Sequence, residues 1–213
     1  ISTFKLKTDV FEGFHYRVPG DLSTAAFPIA AALVTGSELT IENVDLDDPQ
    51  GDKKLIELWR QMGARFEVDA EKKSVKVLPA GCLQGIEADL NDCIDAITIL
   101  AVVACYAEGT TTISNVANAR NKECNRLRAI TMELSKMGAD IVETEDGLKI
   151  VGGMLAGASV DSHHDHRMAL SLAVAALGAK GVSEICNAAC VIKTYPDFAE
   201  AFQSIGARIE EKR

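Results

Sequence analysis

The sequence predicts an α/β (α+β) domain made of three copies of one strand–helix–strand–helix–strand–strand unit. The copies have pseudo-threefold symmetry, with buried apolar helices inside and sheets outside. Three observations predict it. An Asp stands near the start of an apolar run at Asp21, Asp95 and Asp165. A Gly followed by a β-rich segment recurs at Gly36, Gly109 and Gly181. An amphipathic stretch closes on a Gly-Ala pair at Gly63, Gly138 and Gly206. All three markers keep step at roughly 70 residues, which chance does not readily produce. The repeats span about 19–80, 88–152 and 158–213 of a single domain covering 1–213.

Taken in order, residues 1–18 carry extended patterns at 4–7 and 14–18 and end at Pro19-Gly20. The first helix of each unit (25–34, 96–107, 168–179) is apolar nearly all round, so it must be buried. Pro28 belongs in the first turn of its helix or kinks it. The second helices (52–62, 122–137, 196–205) each show one apolar stripe, marked by Leu55, Leu58 and Trp59 in the first unit. Pro196 suits the first turn of the third, and each glycine hook suits a helix C-terminus. Alternation predicts strands at 65–68, 74–77 and 140–143.

The totals narrow the function. With 47% hydrophobic and 25% charged residues among 213, the composition is that of a soluble domain with a substantial, mostly aliphatic core. No apolar run reaches the ~20 residues a bilayer span needs, and no signal peptide is apparent, so the expected location is cytoplasmic with no membrane partner. A net charge of −9 argues against nucleic acid. Six cysteines without paired CxxC spacing make disulfides and zinc unattractive.

Within nine residues, 118–126 place Arg120, Lys122 and Arg126 around Glu123. If a helix starts at 122, Lys122 and Arg126 share a face and Glu123 lies one turn from Arg126. Equivalent units bring their helix N-termini to one end, which favours phosphate or carboxylate. Arg120, Lys122, Arg126, Arg167 and Lys193 are therefore expected to converge there. Fixed cations beside a carboxylate suit an anionic substrate held while a proton moves. Plainer readings stand beside this one: a solvated charged turn, Asp21 as a helix cap, and Asp95 as a cap or a site carboxylate. His163, His164, Asp165 and His166 invite a metal, but no second ligand cluster accompanies them.

N-x-x-x-K-E-x-x-R at 118–126, D-H-R-M at 165–168 and K-T-x-P-D at 193–197 resemble the 5-enolpyruvylshikimate-3-phosphate synthase family. Pro-Gly-Asp-Leu-Ser-Thr-Ala-Ala at 19–26 and Asp-Cys-Ile-Asp at 92–95 match it too. The likeness covers almost the whole chain but only the C-terminal part of that enzyme. It implies an inverse α/β barrel of three βαβαββ units, one of two domains that close over the substrates. The implied reaction moves the enolpyruvyl group of phosphoenolpyruvate to the 5-hydroxyl of shikimate 3-phosphate and releases phosphate, without metal or organic cofactor. By this resemblance Arg126, Arg167 and Lys193 hold phosphoenolpyruvate, with His166 beside them. Glu123 shuttles the proton at the methylene carbon, Asp95 is the base at the 5-hydroxyl, and Asn118 and Lys122 touch shikimate 3-phosphate. Asp95, Glu123 and Lys193 are the implied catalytic positions.

Two departures stand out. Cys124-Asn125 occupies a place where the family often has Thr-Asp, and the family's N-terminal domain, an expected partner, is missing. The chain alone is therefore expected to bind weakly and turn over negligibly. Other readings are a UDP-N-acetylglucosamine enolpyruvyl transferase-like enzyme, a non-catalytic anion-binding module, and an RNA-end-processing enzyme. K-E-x-x-R with D-H-R-M disfavours the first of these, and the acidic total disfavours the last.

Overall fold

A helix without a polar face has nowhere to go but inside, and three such helices organise the core. In the computed structural model, which describes residues 3–10 and 12–212, these are α1 (Leu22–Thr35), α3 (Ile97–Cys105) and α5 (His166–Gly178). Every residue of α3 is buried. The three pack on one another, and their small residues allow close approach. The one polar pair in the middle of this packing, Ser171 and Thr98, satisfies itself by a 2.8 Å hydroxyl–hydroxyl bond.

Asp21 caps α1 by accepting from the Ser23 and Thr24 N–H groups. Because α1 thus begins at Leu22, Pro28 falls in its second turn rather than its first. The amphipathic helices α2 (Lys54–Gln61), α4 (Arg126–Lys136) and α6 (Phe198–Ser204) lay apolar stripes on the core and turn away at left-handed glycines. Gly63, Gly138 and Gly206 have φ of 96°, 90° and 104°, which a side chain would strain. Pro196 lies outside α6, and α4 begins at Arg126 rather than 122, because Asn125 caps it by accepting from Arg128 N–H.

The sheets are unequal. β1 (Leu39–Glu42), β2 (Arg65–Asp69) and β3 (Ser74–Leu78) form an antiparallel sheet in the order β1-β3-β2. β4 (Glu87–Asp89), β5 (Thr110–Ser114), β6 (Asp140–Glu143) and β7 (Leu148–Val151) form the order β4-β5-β7-β6, with β4 and β5 parallel. β8 (Ser159–Asp161) pairs in parallel with β9 (Glu184–Cys186) alone. Among the described residues, a four-stranded sheet is therefore found only in the middle segment.

The extended pattern at 4–7 and 14–18 does not become a strand. Phe4, Leu6, Phe14, Tyr16 and Val18 are exposed. Alternation yields a strand only where an edge and an apolar face receive it. Gly20 N–H donates to Asn43 O at 3.2 Å, one residue past the end of β1. Among the described residues no helix is long and apolar enough to cross a membrane.

Candidate active site

The N-terminal ends of α4 and α5 and the 3₁₀ turn at the start of α3 meet, and their charged residues form one continuous ion-pair network. Its centre is Arg126, only 1% exposed. A buried guanidinium is tolerated only if its donors are matched, and Arg126 spreads them over three carboxylates. Nε and Nη2 donate to Asp165 at 2.7 and 3.2 Å. Nη1 donates to Asp95 at 2.8 Å, and Nη2 to Glu123 at 2.7 Å. Asp165 is itself fully buried and also caps α5 through Arg167 N–H, 2.8 Å.

The more exposed groups gather around this centre. Lys122 Nζ reaches Asp95 at 3.0 Å, and Arg167 Nη2 lies 3.6 Å from the other Asp95 oxygen. Lys193 Nζ, carried by the 3₁₀ turn Ala188–Lys193, donates to Glu123 at 2.7 Å. His166 Nδ1 stands 3.8 Å from Glu123 and 3.9 Å from Asp165, too far for hydrogen bonds.

The electrostatics follow from these contacts. The Lys193 hydrogen bond is the main cause that holds the Glu123 carboxyl down at about 2, with Arg126 adding to it. Burial pushes Asp95 up, but Lys122, Arg167 and Arg126 outweigh burial and keep it below the usual carboxylate range. Burial depresses His166, so its imidazole is neutral near pH 7. Four cations (Lys122, Arg126, Arg167, Lys193) thus face three carboxylates (Asp95, Glu123, Asp165), leaving a surplus of one positive charge.

Seven of the eight predicted site residues lie in or beside this network. The eighth, Asn118, is exposed and among the described residues makes no side-chain hydrogen bond. Arg120 is corrected. It pairs with Glu143 and donates to the Thr144 and Glu145 carbonyls at 2.7 and 3.0 Å, fastening the β6–β7 turn instead of the site. Lys122 shares no helical face with Arg126, since its backbone is extended; the two meet on Asp95 Oδ1 instead. Cys124 and Asn125 do local work. The Cys124 thiol, pushed up to about 12 chiefly by burial, lies 3.6 Å from Asp165, and Asn125 caps α4.

Sequence reasoning used Asp165 as a repeat marker, as part of a metal reading and as the first residue of D-H-R-M, but gave it no role in the site. Its position one residue before His166-Arg167 was the available signal for its role under Arg126. It also missed Glu133, a buried carboxylate on the apolar stripe of α4. An open cleft of about 440 Å³ runs along the start of α1, β1 and Thr194-Tyr195, next in sequence to Lys193. None of the network residues lines it.

The family description EPSP synthase (3-phosphoshikimate 1-carboxyvinyltransferase) matches residues 7–202. The chain belongs to the EPSP synthase family. A 3-phosphoshikimate 1-carboxyvinyltransferase of Chlamydia pneumoniae is 45% identical over 202 residues, covering 94% of this chain and 45% of that protein. One from Methanocella arvoryzae is 47% identical over 195 residues, covering 92% and 46%. The solved EPSP synthase of Acinetobacter baumannii superposes with a TM-score of 0.82 at 31% identity, covering 92% of this chain and 48% of that one. The chain thus spans about half the length of the EPSP synthase relatives it matches.

Proposed function

We propose that this chain is the C-terminal domain of a two-domain enolpyruvyl transferase, three βαβαββ units arranged as an inverse α/β barrel. The whole enzyme would transfer the enolpyruvyl group of phosphoenolpyruvate to the 5-hydroxyl of shikimate 3-phosphate and release phosphate. The three-unit reading is supported by left-handed asparagines at matching places after β1, β5 and β9: Asn43, Asn115 and Asn187, with φ of 57°, 61° and 58°.

One observation carries the functional reading: Asp95 and Glu123 are joined through a single buried guanidinium, with Lys193 and Arg167 at the rim. The chemistry needs two proton-handling groups on one anion site. The 5-hydroxyl oxygen bonds to C2 of the enol while its proton goes to a base, and C3 takes up a proton to become a methyl group. The resulting tetrahedral adduct then loses phosphate by C–O cleavage, and a methyl proton leaves to restore the double bond.

Asp95, held ionised by its cations, serves as the base at the hydroxyl. Glu123 serves at C3. A carboxyl held at about 2 is a poor proton donor at neutral pH, but its low value comes mainly from Lys193. The substrate phosphate competes for that ammonium and, on drawing it away, raises Glu123 toward a useful range. Arg167 and Lys193 bind the anion, with neutral His166 beside them. Asn118 and Lys122 face shikimate 3-phosphate.

A surplus of one positive charge is small for a phosphoenolpyruvate trianion, so the remaining cations and the enclosure of the site come from the N-terminal domain. The test is phosphate release. The lone chain should show negligible turnover, and mixing it with a separately made N-terminal half should restore it; full activity of the lone chain would refute the half-enzyme reading.

A further inference from the structure

The mechanism leaves one buried charge without a task. Glu133 lies two turns beyond Arg126 on α4, with its side chain only 1% exposed. A carboxylate so completely removed from water is costly unless donors surround it, and Glu133 has three. Lys136 Nζ and the Asp161 backbone N–H donate to Oε2 at 2.6 and 2.9 Å, and His163 Nε2 contacts Oε1 at 2.9 Å. Burial pushes the carboxyl up, yet these donors outweigh it and hold it below the usual range. Lys136 belongs to the same helix. Of the other two donors, Asp161 is the last residue of β8, and His163 belongs to the turn that leads from it into α5.

That turn needs to be held. His163 and His164 are both in the left-handed region, with φ of 53° and 58°, where side-chain-bearing residues rarely sit in succession. Such backbone persists only where its surroundings over-determine it. Asp161 Oδ1 accepts His163 N–H at 2.7 Å, Ser162 Oγ accepts His164 N–H at 3.2 Å, and Asp165 N–H donates to Ser162 O at 3.0 Å. The next residues are Asp165, His166 and Arg167. Helix α4 therefore grips the chain on both sides of the strained pair, through Glu133 before it and through Arg126 and Asp165 after it.

We propose that Glu133 is a positioning residue for anion binding. By fastening Asp161 and His163 it fixes the left-handed turn, and so fixes where Arg167 stands at the mouth of the site. The proposal rests on the functional reading above, and Glu133 itself touches no substrate.

Glu133→Gln keeps the shape of the side chain, His163→Ala removes the turn's contact without altering α4, and Lys136→Met is the control that removes only the exposed partner. Amide hydrogen exchange on the chain itself is expected to rise at least about tenfold over 161–168 in the first two variants and stay unchanged in the third. With the N-terminal half added, the KM for phosphoenolpyruvate should rise about tenfold in the same two variants, with kcat within about twofold. A purely stabilising role predicts the opposite: faster exchange spread evenly over α3, α4 and β7, with KM unchanged. That result overturns the proposal, as does exchange at 161–168 equal to wild type. Wild-type halves that turn over no phosphoenolpyruvate count against the functional reading instead, and the exchange result then decides the role of Glu133 by itself.

Discussion

Arg126 and Lys193 bind the same carboxylate through different oxygens, yet they stand in opposite surroundings. Arg126 is 1% exposed and fully committed to three acids, whereas Lys193 is 60% exposed and has one acidic partner among the described residues. A buried network is stable only as a whole, because removing one member strands the others without water. An exposed pair adds little stability and can change partners when an anion arrives. Cations that look alike in a motif therefore divide into one buried in the floor of the proposed site and one exposed at its rim.

Breaking the floor should have the largest effect. Arg126→Leu leaves Asp165 buried without its guanidinium, and unfolding in urea should show a loss of about 3–5 kcal/mol. Breaking the rim should do the reverse. Lys193→Met should keep stability within about 1 kcal/mol while phosphate release by the mixed halves falls roughly 10²–10³-fold. If Lys193→Met proves as destabilising as Arg126→Leu, the distinction between floor and rim collapses. Glu123→Gln sharpens the contrast at the shared carboxylate. Phosphoenolpyruvate binding by calorimetry should persist while turnover drops about 10²-fold or more, and equal turnover would end its proton role.

The smallest effect is in the acid dependence of stability. Glu123 is held at about 2 against an ordinary 4.5. A depressed carboxyl contributes stability that is present above 4.5 and is lost as the pH falls toward 2. Following the melting temperature over that window, Lys193→Met should lose less than wild type. The difference should be slight, since Glu123 is a third exposed.

Much of this was legible in the chain because it is written locally. An unbroken apolar run means a buried helix whatever surrounds it, and α3 lies within the expected segment. Gly63, Gly138 and Gly206 end their helices for a backbone reason that involves no distant residue. The extended pattern at 4–7 and 14–18 gave no strand, because a strand needs a partner edge that a local pattern does not supply. The helix start at 122 failed for a similar cause: Asn125 capped first, and left Lys122 outside.

By itself, then, the sequence determined which segments are buried and which charged residues were candidates for one site. Only the tertiary structure decided how like charges were shared out. It sent Arg120 to Glu143, gave Arg126 to Asp95, Glu123 and Asp165, and set Glu133 under a strained turn. The physical reason is range. Hydrophobic pattern and backbone conformation act over a few residues, whereas an ion pair forms with whichever partner the fold brings within about 4 Å, however far away in the chain.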